Sequence, residues 1–73
     1  MNKEIGKILK SYRANIPVSL KYLSYVTKIP YQKLWRYEKG ITGVPIESLL
    51  KILEIYIISP TMFFNRLTKE LKK

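Results

Sequence analysis

The sequence predicts an all-α fold of five short helices, and three observations predict it. Apolar residues recur at intervals of three and four through most of the chain. Turn-forming residues cluster at Asn15–Pro17, Lys28–Pro30, Gly40–Pro45 and Ser59–Pro60, dividing the chain into five segments with short connections. No segment alternates with period two for long enough to make a strand. The expected helices cover about 2–14, 19–26, 30–38, 45–57 and 60–71 of a single domain, 1–73.

The first helix places Ile5, Ile8, Leu9 and Tyr12 on one face and Lys3, Lys7 and Lys10 on the other; Pro17 stops it. Ser19 is a favourable N-cap for the second, with Val18 and Leu23 spaced as a hydrophobic staple. Leu20, Leu23, Val26 and Thr27 then face inward, and Lys28-Ile29-Pro30 ends the helix. Pro30 suits the first turn of the third helix, where a missing N–H costs nothing. Leu34 and Tyr37 point to the core, and Gly40 supplies a left-handed C-cap. The fourth helix offers Ile46, Leu49, Leu50, Ile52, Leu53 and Tyr56 as a broad apolar face. The fifth starts at Ser59 with Pro60 in first position, carries Met62, Phe63, Phe64 and Leu67, and ends in a basic tail, Lys69 to Lys73.

Composition narrows the function. The 73 residues contain no cysteine and no histidine, so disulfides, a cysteine-based zinc site and the usual catalytic base are all missing. Glu4, Glu38, Glu47, Glu54 and Glu70 are the only carboxylates and are scattered. No enzyme, metal site or cofactor is expected. The longest fully apolar run, Ile55–Ile58, is far short of a membrane span, and the N-terminus has no signal-peptide pattern. A soluble protein of a reducing compartment such as the cytoplasm is the expectation. Fourteen Lys and Arg against five Glu give a net charge of +9, which attracts polyanions. Nucleic acid is the leading partner, ahead of an acidic protein or an anionic membrane surface. Lys69 to Lys73 is too short to hold a membrane firmly.

Within this charge pattern, residues 18–40 read as two short helices joined by a tight turn. That is the layout of a helix-turn-helix, whose second helix enters the major groove of DNA. Further residues fall into line with it: Ile5-Gly6-Lys7 and Leu9, then Arg13; Val18-Ser19 and Leu23-Ser24; Tyr37-Glu38-Lys39-Gly40; and Pro45-Ile46 with Leu49-Leu50-Lys51-Ile52. In order and spacing, from Ile5 to Phe64, they resemble the lambda-repressor/Cro-like (xenobiotic-response-element) helix-turn-helix family. The resemblance implies a compact five-helix DNA-binding domain with the motif at helices two and three.

Roles follow by position. The resemblance implies an ion pair between Arg13 and Glu38 that ties the first helix to the end of the third. It implies base readout by Tyr31, Gln32, Lys33, Trp35 and Arg36, with Gln32 suited to adenine and Arg36 to guanine, each pairing giving ~1–3 kcal/mol of discrimination. Lys33 suits a phosphate contact better than a base, and Trp35 either covers a sugar-phosphate edge or packs back over the second helix. Ser19, Lys39, Thr42 and Gly43 are the expected phosphate contacts. Relatives dimerise, and Ile57, Met62, Phe64 and Leu67 are the expected homodimer surface, with Phe63 in the core. Three residues depart from the pattern: Leu20 replaces a bracing Gln, Thr27-Lys28 replaces a pair ending in Gly, and Pro30 replaces a Ser/Thr cap. Lys28 is therefore expected in a left-handed backbone.

The implied activity is a sequence-specific transcriptional regulator of double-stranded DNA, a dimeric repressor at a palindromic operator. It would be of phage-repressor type, or an antitoxin with a toxin partner. The alternative is a protein-interaction module that keeps the fold with weak or no specific DNA binding.

Overall fold

A computed structural model describes residues 1–72; Lys73, the last residue of the basic tail, lies outside it. The described chain is all helical: α1 (Asn2–Asn15), α2 (Leu20–Thr27), α3 (Tyr31–Lys39), α4 (Ile46–Tyr56) and α5 (Pro60–Leu71). None of these helices is long and apolar enough to cross a membrane.

Local chemistry explains the boundaries. Ser19 and Ser59 cap α2 and α5, their hydroxyl oxygens accepting from the Tyr22 and Met62 amides at 3.0 and 3.2 Å. Pro60 is the first residue of α5. Pro30 and Pro45 stand one position earlier than expected: each is the N-cap, extended at ψ 140° and 148°, and the helix starts on the next residue. Gly40 closes α3 at φ 71°. Two non-glycine residues close helices in the same left-handed region, Lys28 at φ 61° and Ile57 at φ 57°. A β-branched residue there is strained, and the Ile57 side chain is 90% exposed, so core packing does not offset it.

The helices pack around one core. Ile8, Leu9, Leu23, Leu34, Ile52, Leu53 and Phe63 are its most buried large side chains, with Leu20, Leu49, Tyr37, Tyr56 and Leu67 around them. α3 packs on α1 and α2, α5 on α1, and α4 on α2. Arg66 joins α5 to α1 a second time: its guanidinium donates to Ser11 Oγ at 2.8 Å and lies 5.0 Å from the Tyr12 ring centroid.

The apolar faces of α4 and α5 differ from expectation at three residues. Ile46 and Leu50 are exposed rather than buried, because they lie at the edge of the α4 stripe. Leu67, expected on a dimer surface, is 7% exposed and belongs to the core. The reason is helical spacing. Leu67 sits one turn after Phe63, which is fully buried, and the pair forms the inward stripe of α5. Ile57, Met62 and Phe64 are exposed.

Tyr56 carries a testable electrostatic feature. Its hydroxyl is buried with no hydrogen-bond partner among the described residues. Burial pushes its phenol up from 10.0 to about 12, the Glu38 carboxylate adding to the rise and Arg13 opposing it. A folded-state pKa above the unfolded one stabilises the fold fully below the unfolded value. That contribution disappears as pH rises from about 10 through about 12. Tyr56→Phe is expected to melt at the same temperature as wild type or slightly higher at neutral pH, since it removes an unpaired buried hydroxyl. Above pH 10 it is expected to lose stability less steeply than wild type in thermal melts. Parallel melting curves of the two proteins across the alkaline range would refute this.

Candidate nucleic-acid interface

The site is built on α3. Its sequence, YQKLWRYEK, gives the core only Leu34 and Tyr37 and leaves Tyr31, Gln32, Lys33, Trp35, Arg36 and Lys39 exposed. The one acidic residue of α3, Glu38, is turned away from them toward α1. Glu38 accepts from Arg13 Nε at 2.7 Å and from Arg13 Nη2 at 3.1 Å, a bidentate pair in which the Glu38 side chain is only 8% exposed. Hydrogen bonding to Glu38 holds the Arg13 guanidinium above its ordinary range. A further Arg13 nitrogen donates to the Val18 carbonyl at 3.3 Å, so one guanidinium fastens the end of α3 and the approach to α2.

Close backbone packing fixes the same end of α3. A Cβ on Gly6 would fall on the Tyr37 carbonyl oxygen and within 2.7 Å of the Glu38 carbonyl oxygen. One on Gly40 would come within 2.7 Å of the Lys3 Cα. α1 therefore rests directly on the last turn of α3, at a distance only glycine permits.

The start of α3 is positioned by a turn without glycine. Lys28 caps α2, its N–H donating to the Ser24 carbonyl at 2.9 Å. Ser24 Oγ donates to the Ile29 carbonyl at 2.6 Å, and Thr27 Oγ donates to the Leu23 carbonyl at 2.6 Å. The Ile29 N–H completes the set by donating to Thr27 Oγ at 3.3 Å. Two hydroxyls thus satisfy backbone groups around the left-handed Lys28, and Ile29 plugs into the core. The sequence reading missed Ser24 and Thr27 in this role. The available signal was a pair of hydroxyl residues in the last turn of a helix, where back-bonding to the chain is favoured.

Two hollows flank Arg36. Tyr31, Gln32, Trp35 and Arg36 line an open groove of about 370 Å³. Lys33, Arg36 and Tyr37 line a second, of about 230 Å³, together with Thr42, Gly43 and Pro45 from the α3–α4 loop. Lys39 and Trp35 stack, with the ammonium 5.6 Å from the ring centroid. Trp35 is 42% exposed and stays on the outer face of α3. Ser19 is exposed at the start of α2, where its oxygen already serves as the cap. Leu20 turns into the core. The structure thus brings together Tyr31, Gln32, Trp35 and Arg36, and joins Lys33 and Arg36 to Thr42 and Gly43.

Chemically the surface offers an amide with donor and acceptor, a planar guanidinium fork, ammonium groups and two aromatic rings. None of the exposed side chains of α3 is acidic. Such a surface suits an anion that also presents flat, hydrogen-bonding groups. No protein-family model, curated protein or solved structure matches the chain.

Proposed function

We propose that the chain is a sequence-specific DNA-binding regulator of transcription. In this reading α2 and α3 form a helix-turn-helix of lambda-repressor/Cro type, and α3 lies in the major groove of duplex DNA. One observation carries it: α3 is clamped at its far end by Arg13–Glu38 while its outer side presents Tyr31, Gln32, Lys33, Trp35, Arg36 and Lys39 to solvent. A rigid mount for an exposed cationic helix supports recognition more than folding. Gln32 and Arg36 read base edges. Lys33, Lys39, Ser19, Thr42 and Gly43 contact phosphates.

One α3 reaches too few base pairs for useful specificity, so a second copy docks through Ile57, Met62 and Phe64, and the dimer represses at a palindromic operator. A protein-interaction module is the second reading, favoured by the exposed aliphatic side chains Ile46, Leu50 and Ile57.

The test is selection of bound sequences from a random duplex pool, followed by binding measurements across a salt series. A recovered half-site repeat near one helical turn supports the dimeric reading. Affinity should fall steeply with salt, since each phosphate contact releases condensed counterions. Arg36→Ala is expected to weaken the selected site by about 1–3 kcal/mol and to relax choice at one base pair. Lys39→Ala is expected to weaken selected and random duplex alike and to reduce the salt slope by roughly 1. Equal losses on both duplexes for both variants would refute the assignment of roles. A flat salt response with no enriched sequence would favour the interaction module.

A further inference from the structure

The two aromatic residues of the outer α3 surface are not used by reading base edges. Base pairs in a duplex offer their edges in the grooves and hide their faces in the stack. Aromatic side chains such as Tyr31 and Trp35 bind faces. Both rings are about half exposed, on a helix that supplies its core share through Leu34 and Tyr37. They are one turn apart and line one open groove together with Gln32 and Arg36. Lys39 lies a further turn along, its ammonium over the indole ring at 5.6 Å from the centroid. Tyr31, Trp35 and Lys39 thus follow one another along α3, and the two rings border the open groove.

We infer that this groove takes an unpaired nucleobase by stacking on Tyr31 and Trp35, so that the protein binds single-stranded nucleic acid on this surface. Every base has a face to stack, and aromatic side chains beside cations are the usual platform for single strands. Gln32 carries the donor and acceptor that match the hydrogen-bonding edge left open in an unpaired base. Arg36 borders both hollows, so its guanidinium serves the stacked base on one side and its phosphate on the other, beside Lys33. The net charge of +9 and the lack of an exposed acid on α3 supply the attraction. This inference shares with the duplex reading the premise that α3 carries nucleic acid, and goes beyond it in the form bound.

Trp35 is the only tryptophan, so its emission reports on this groove alone. The full chain is titrated with short oligo(dT), with oligo(U) and with a random duplex, following tryptophan emission and, separately, the polarisation of labelled strands. Saturable quenching by oligo(dT) or oligo(U) is expected, the two arms telling DNA from RNA. Tyr31→Ala and Trp35→Ala are each expected to weaken single-strand binding by about tenfold, and Trp35→Phe to retain most of it. Circular dichroism of each variant, expected to match that of wild type, serves as the folding control. Single-strand binding without a change in emission, or unaltered affinity in both alanine variants, would overturn the inference. So would binding of the duplex but not of either single strand, an outcome that leaves the duplex reading standing. Binding of single strands alone would uphold the inference and refute the duplex reading.

Discussion

Gly6→Ala is expected to lower the melting temperature by about 8–16 °C. Glycine inside a helix costs about 1 kcal/mol relative to alanine, so α1 would gain that much on its own. The new Cβ, however, would fall on the Tyr37 carbonyl oxygen and crowd that of Glu38 at 2.7 Å. These are backbone atoms of the last turn of α3 and cannot swing aside as a side-chain tip would. Overpacking of this kind costs about 1–3 kcal/mol, and a direct backbone clash lies at or beyond its upper end. The net loss is about 2 kcal/mol, and in a domain this small each kcal/mol moves the midpoint by about 4–8 °C. Lys7→Ala, beside it on the exposed side of α1, is the control and is expected to melt near wild type. An unchanged midpoint for Gly6→Ala would show that α1 and α3 are not seated as described.

Arg13→Ala is expected to cost about 3 kcal/mol, and Glu38→Gln clearly less. The asymmetry comes from burial. Removing the guanidinium strands a carboxylate that is 8% exposed, and an unpaired buried charge costs about 3–5 kcal/mol. The Arg13 side chain is 23% exposed, which puts the loss at the low end of that range and lets Arg13 reach water when Glu38 is neutralised. Adding Glu38→Gln to Arg13→Ala is therefore expected to recover part of the stability. Denaturant unfolding of the two single variants and the double variant closes the cycle. Additive losses would mean that the pair contributes nothing beyond two separate side chains. If α3 reads bases, Arg13→Ala should also reduce discrimination between duplexes more than Lys39→Ala does, although Arg13 lies away from the exposed surface of α3.

The helix order, the inward residues of α1 to α3 and the left-handed backbone at Lys28 and Gly40 were all legible in the sequence. Each was announced by a strong local signal, a proline, a capping serine, a glycine or an i, i+4 apolar pair, except the left-handed Lys28, which followed from the Gly of the resembled family at that place. The Arg13–Glu38 contact was legible only through a resemblance, because nothing local says that residues 25 apart will meet. The seating of Gly6 on α3 was invisible for the same reason. α5 was misjudged in a more instructive way. Phe63, Phe64 and Leu67 all fit a helical stripe, and only the docking of α5 on α1 decides that Phe63 and Leu67 share the inward side. Leu50 and Ile46 show the converse, apolar residues at the margin of a stripe that no neighbouring helix covers. In the turn, Ser24 and Thr27 look like ordinary polar residues until the chain closes around them.

The division of labour within α3 has a consequence for how this protein can change over generations. Leu34 and Tyr37 give its core contacts, and the buried Glu38 carboxylate its clamp. The side chains at positions 31, 32, 33, 35 and 36 are exposed, so substitutions there cost little in folding. If this surface recognises nucleic acid, its preference is therefore free to drift without a compensating repair elsewhere. On that reading a new target is acquired one side chain at a time, each intermediate remaining a folded protein.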